Sequence, residues 1–179
     1  MEYHYISCPK EGEKLPSDAV FVLHESRYTR FLVINAPNSG PDGSMFLSEI
    51  EENVDILAVD PIPETVGMLC YEFEHVHGAK IALADFYPFK MQCCVLGDIG
   101  IKSSKGPKRY VVEVCGQEYP LLEYELDSGN LFVFHTKGIS QDFEFTEDML
   151  GKSSEMLAKD IMDFHRNRVE DSTVLVVRC

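Results

Sequence analysis

Two runs near the N-terminus, Ala19–Leu23 and Arg30–Ile34, are apolar at almost every position and flank the polar turn His24-Glu25-Ser26-Arg27-Tyr28-Thr29. A strand with one wet face alternates apolar and polar residues, whereas one without alternation is covered on both sides. The pair therefore predicts a β-hairpin with both strands largely buried. Thr173–Val177, a β-branched run, suits a central strand for the same reason. Further strands are predicted at Ala79–Asp85, Met91–Leu96, Tyr110–Cys115 and Leu131–His135. Leu122, Tyr124 and Leu126 alternate with Glu123 and Glu125, the period of a half-buried strand.

Helices are signalled in three places. Met45, Phe46, Ile50 and Val54 recur at near-helical spacing after the breaker-rich loop Asn35–Gly43. A second helix starts near Pro63, carries Val66, Leu69, Cys70, Phe73 and Val76 on one face, and runs to His77, where Gly78 ends it. Ser153 or Ser154 caps a last helix with Leu157, Ile161 and Phe164 on one face. The order is two strands, two helices, a block of strands, then a helix and a strand. That order predicts one α+β domain over residues 1–179, with helices packed on mostly antiparallel sheets. A dinucleotide-binding fold fits poorly, because no regular βαβ repeat is present.

The charge narrows the partners. With 30 Asp and Glu against 16 Lys and Arg, the formal net charge is −14, which repels nucleic acid and anionic membrane surfaces. No stretch approaches the ~20 apolar residues of a spanning helix, and Met1-Glu2-Tyr3-His4 shows no signal-peptide pattern. The six cysteines form no Cys-x-x-Cys pair, which reads as reduced, mostly buried thiols of a cytoplasmic protein.

Three segments carry a resemblance. The first is Ser17-Asp18 leading into the hairpin, followed by Val33-Ile34-Asn35-Ala36-Pro37-Asn38-Ser39-Gly40-Pro41. The second is Leu131-Phe132-Val133-Phe134-His135-Thr136-Lys137-Gly138-Ile139-Ser140, and the third is Glu170-Asp171-Ser172-Thr173 with the valine-rich strand ending at Arg178. In this order and spacing, covering nearly the whole chain, they resemble the SpoIIE-like phosphatases of the metal-dependent, 2C-type superfamily. That family shows Gly-Asp, a hairpin, Asp-Gly and a Gly-rich turn, then Ser/Thr-Asp-Gly-Ile, then Asp-Asp-x-Thr. The resemblance implies an α-β-β-α sandwich of two mostly antiparallel sheets flanked by helices.

It also implies a pair of Mn²⁺ or Mg²⁺ ions, which want carboxylate oxygens and activate a bridging water. Here the implied metal positions are partly overwritten. The bridging Asp falls on Asn35, the Gly after it on Ala36, and the Asp of the second motif on Lys137. Asp171 survives, with Asp18 as an outer contributor, so these two are the metal ligands if a metal is retained. Asn35 lacks the charge to bridge two cations, and an ammonium at position 137 repels a dication and offers no acceptor. The expectation is a degenerate phosphatase without a metal cofactor, Lys137 pairing with Asp171 in place of a metal. It acts in signalling by binding a regulatory protein or a phosphoprotein. Lys137, Ser39 and Gly40 are candidate phosphate contacts at a helix start. An active metal-dependent Ser/Thr phosphatase with a rearranged site is the alternative.

Other residues signal less. His75 and His77 fit a helix end better than a metal site, and His135 fits a strand end. Cys93 and Cys94, adjacent in a strand, face opposite ways and pack in cores. The basic run Lys102-Ser103-Ser104-Lys105-Gly106-Pro107-Lys108-Arg109 is either a solvated hairpin turn or a docking site for an acidic or phosphorylated partner.

Overall fold

The hairpin forms as its apolar pattern demands, β2 (Asp18–His24) pairing with β3 (Thr29–Asn35) in antiparallel register from Asp18↔Asn35 to His24↔Thr29. In the computed structural model, which describes residues 1–38, 40–72, 78–114, 117–140 and 142–179, this hairpin opens a six-stranded sheet. The sheet continues through β4 (Lys80–Phe86), β5 (Lys90–Leu96), β8 (Gln117–Glu125) and β7 (Lys108–Val114). A four-stranded sheet faces it, in the order β1 (Glu2–Cys8), β10 (Ser172–Arg178), β9 (Leu131–His135) and β6 (Gly100–Ser103). Every pairing described in both sheets is antiparallel.

Side chains alternate between the faces of a strand, so the unbroken apolar runs feed two layers at once. Phe31 and Val33 of β3 join Phe132 and Phe134 of β9 and Leu175 and Val177 of β10 in the core between the sheets. Their neighbours Leu32 and Ile34 turn to the other face, under α1 (Pro41–Glu52), a 3₁₀ turn at Val54–Ala58 and α2 (Ile62–Glu72). On the far side of the four-stranded sheet, Val174, Val176, Leu131 and Val133 pack against α4 (Ser154–His165), which follows the short α3 (Glu147–Gly151). The result is the expected α-β-β-α sandwich. Cys93 and Cys94 divide between the inner and outer cores as the strand period requires.

Some expectations shift. Phe46 and Ile50 are buried under α1, but Met45 is 62% exposed and Val54 lies beyond the helix in the 3₁₀ turn. On α4, Ser153 is the cap, its hydroxyl accepting from the Met156 amide at 3.3 Å. The buried face of α4 is Leu157, Ala158, Ile161 and Met162, whereas Phe164 is 79% exposed because the helix ends at His165 and its last turn runs past the sheet. The basic run is no hairpin turn: β6 and β7 belong to different sheets, so residues 104–107 cross between them. Phe73, His75, Val76, His77 and Cys115 lie outside the described residues, as does Ser39.

A polar network unannounced by the sequence ties the outer layer down. Arg30 on β3 is fully buried and grips Asp85 on β4 with two parallel bonds of 2.6 Å. Its remaining nitrogen reaches the Leu57 and Val59 carbonyls, each at 2.5 Å, and the Thr65 hydroxyl at 2.8 Å. Burial works against the guanidinium charge, but the bonds and charge of Asp85 more than offset it and raise its pKa. One side chain thus fastens the 3₁₀ turn and α2 to the sheet.

Candidate active-site cleft

The ends of four strands meet at one edge of the sandwich, and the motif residues meet with them. Asp18 opens β2 and Asn35 closes β3, directly opposite each other. Thr136 follows the last residue of β9, and Asp171 precedes the first residue of β10. The amide of Thr136 donates to the Thr173 carbonyl at 3.0 Å, and the Ala36 amide to the Ser17 carbonyl at 2.9 Å, locking these ends together. A cavity of 270 Å³ opens here, lined by Lys10, Ser17, Asn35, Ala36, Glu170 and Asp171 among others.

The two carboxylates of the motifs are both engaged by donors from the protein. Asp18 is 1% exposed; its Oδ1 accepts from the Asn35 amide and its Oδ2 from the Thr136 hydroxyl at 2.5 Å. Thr136 Oγ1 in turn accepts from the Thr173 amide at 2.9 Å. Burial pushes the Asp18 pKa up to about 6; the bonds from Thr136 and Asn35 oppose this, and the charges of Asp171 and Glu170 add to it. Asp171 accepts from the Ser17 hydroxyl and, at 3.0 Å, from the Ser17 amide on Oδ2; its Oδ1 accepts from the Lys10 amide at 2.6 Å.

Lys137 does not reach Asp171. Its side chain is 59% exposed and its ammonium bonds to Glu170 Oε1 at 2.8 Å, a contact that raises its pKa. The expected Lys137–Asp171 pair is replaced by one to the neighbouring acid, because position 137 points outward from the turn while Asp171 points inward to Ser17. Gly138, next in the motif, sits so close to the Asp171 carbonyl and the Ser172 hydroxyl that a Cβ would collide with both. Gly40 precedes α1 with φ of 72°, and the Glu13 carboxylate lies 3.6 Å from where its Cβ would be. The helix start that was a candidate phosphate contact thus faces an acid of the chain itself.

These residues do not fit a pair of divalent ions as they are arranged. Such ions need several converging oxygens with open lone pairs, whereas the Asn35 amide and the Ser17 hydroxyl direct hydrogens onto the carboxylates. Among the described residues, no group of three or more His, Cys, Asp or Glu converges in a geometry that holds a metal. Sequence reasoning missed Ser17 and Glu170. The signal for Ser17 was present, since it stands where the resembled motif has a glycine, and its added hydroxyl is what binds Asp171.

The other singled-out residues lie elsewhere. His135 is buried, packs edge-on against Phe143 at 5.8 Å, and has its pKa lowered by burial. It borders a second cavity, of 480 Å³, along β6. Lys102, Lys105 and Arg109 of the basic run border a third, of 550 Å³.

No family model matches the chain and no curated protein matches it. Solved structures do. One comes from the bacterial stressosome, described as a modular system adapted to control secondary messenger signalling. It is 20% identical, with 99% of this chain and 98% of that one covered and a TM-score of 0.80. RsbX in complex with magnesium is 17% identical, with 97% and 92% covered and a TM-score of 0.76. The SiaA PP2C domain of Pseudomonas aeruginosa is 15% identical, with 99% and 85% covered and a TM-score of 0.67. Likeness at these identities is likeness of fold, and with the layers and strand order above it establishes that the chain has the α-β-β-α fold of the 2C-type phosphatase domains.

Proposed function

We propose that this chain is a degenerate, SpoIIE-like member of the phosphatase fold, working without metal ions by binding a regulatory protein in signalling. One observation carries the reading: Ser17 and Asn35 each place donor hydrogens on a remaining carboxylate, where a metal ligand would keep its lone pairs open. Each such bond takes a lone pair that a cation would use, and among the described residues no third acid converges with them. The end of the sandwich persists because Thr136 and the strand-end amides hold it together. The structures it resembles include regulatory as well as phosphatase proteins, which favours a signalling role.

A phosphoprotein is a less favoured partner at the cleft, since Glu170 and Asp171 line it and Lys137 is paired with Glu170. The test is calorimetric titration with Mn²⁺ alongside hydrolysis of p-nitrophenyl phosphate. We expect neither binding nor turnover. Micromolar Mn²⁺ binding with turnover would establish the alternative, an active phosphatase with a rearranged site on Asp18 and Asp171. The triple change Ser17→Gly, Asn35→Asp and Lys137→Asp restores the open carboxylates and is expected to gain Mn²⁺ affinity.

A further inference from the structure

The two sheets are unequal, and the mismatch leaves a groove. The six-stranded sheet ends in β8 and β7, whereas the four-stranded sheet stops at β6. On the opposite side the sandwich is closed, with the Tyr3 hydroxyl 3.2 Å from the His24 ring across β1 and β2. On the β6 side the 550 Å³ cavity has an apolar floor that includes Val95, Ile101, Leu122 and Phe145. The 480 Å³ cavity continues along the same strand past Ile99 and Gly100.

Among the described residues β6 pairs with β9 alone, and no strand pairs with its other edge. The Ser104 amide donates to the Leu131 carbonyl at 3.1 Å. In an antiparallel ladder the bonded positions alternate, so Gly100 and Lys102 turn their backbone groups to β9. The amide and carbonyl groups of Ile101 and Ser103 then point away from β9, along the open edge. Extended peptides recognise such an edge through main-chain bonds, and side-chain pockets give the specificity.

Charge selects the occupant. In a chain of net charge −14, Lys102, Lys105 and Arg109 gather on this rim and outnumber the acids that line the two cavities, Glu144 and Asp98, the latter paired with Lys80. Lys105 is paired with Asp127 at 2.9 Å and the Lys102 ammonium lies 4.8 Å from the centre of the Phe143 ring, while Arg109 has no ion-pair partner among the described residues. A lysine on an edge strand also discourages self-pairing of sheets, but that role requires neither an apolar floor nor two cavities alongside.

We propose that the free edge of β6 and the cavities along it bind an extended, acidic segment of a partner protein by strand addition. Its alternate apolar side chains fill the groove floor, and its carboxylates meet Lys102 and Arg109. The proposal names a partner class for the binding-domain reading, and its surface adjoins the Asp18–Asp171 cleft at His135 but shares no lining residue with it, so hydrolysis at the cleft and binding in the groove are read out separately.

The probe is a fluorescein-labelled ten-residue peptide alternating Glu and Val, with a Lys-Val peptide of equal length as control. Fluorescence anisotropy is expected to show the acidic peptide binding with a dissociation constant on the order of 10–100 µM at low salt, and the basic peptide not binding. Lys102→Glu with Arg109→Glu, the first half-buried and the second exposed, should weaken it by about tenfold or more, with the circular dichroism spectrum unchanged. Hydrogen exchange supplies a second readout: peptide should slow the Ile101 and Ser103 amides and leave the cleft amides as they were. Absence of binding, equal binding of the basic peptide, or protection elsewhere than β6 overturns the proposal.

Discussion

Asp18→Asn is the sharpest probe of the cleft, because a buried acid without a cation should burden the fold. The Asp18 carboxyl has a pKa of about 6 in the fold against the ordinary 3.8. That gap corresponds to about 3 kcal/mol at 1.36 kcal/mol per tenfold change. The folded value lies above the unfolded one, so the stabilising difference is fully present below about pH 3.8 and is lost as pH rises through about 6. At pH 8 the fold therefore carries a buried charge that costs about 3 kcal/mol. Asparagine removes the charge while keeping both bonds. Its carbonyl accepts from Thr136, and the Asn35 amide turns over to accept from the new amide. Urea denaturation from pH 4 to pH 8 should show the variant about 2–3 kcal/mol more stable than the parent at pH 8. The two curves should converge near pH 4. A constant difference across that range, or a variant less stable at pH 8, refutes the reasoning. So does Mn²⁺ stabilising the parent selectively over the variant, since that would mean Asp18 keeps a cation.

Three further outcomes are expected. Arg30→Met should cost about 3–5 kcal/mol in urea denaturation by leaving Asp85 buried and unpaired, and adding Asp85→Leu should recover much of the loss. Gly138→Ala should lower stability by about 1–3 kcal/mol, because the methyl meets the Asp171 carbonyl and the Ser172 hydroxyl; a neutral result would remove the steric reason for that glycine. Lys137→Ala should leave the urea midpoint almost unmoved, since its partner Glu170 and the ammonium itself are at the surface; a large loss would show that this lysine does substitute for a metal.

How far the sequence could be read depended on how local each cause was. The hairpin of β2 and β3 and the central β10 were legible because a strand covered on both faces must be apolar throughout, and nothing else in a chain of this length produces such runs. β1 was not, since at the sheet's edge it mixes Tyr3, His4 and Tyr5 with no clean period. Nor was β6, whose four residues are too few to carry one. Phe164 shows the limit of helical periodicity: its spacing from Leu157 and Ile161 is right, but only the sheet's extent decides whether the last turn has anything to pack on.

The cleft divides in the same way. Residue identity alone determined that Asn35 and Lys137 cannot serve as the acids of a two-metal centre, because charge and lone pairs belong to the side chain wherever it is placed. Only the tertiary structure decided what those residues do instead. Lys137 turns out to Glu170, Ser17 closes on Asp171, and Asn35 and Thr136 close on a buried Asp18, partners 17 to 154 residues apart in the chain. Pairings of that range are fixed by strand register and by which way each strand end faces, and both are properties of the packed sheets.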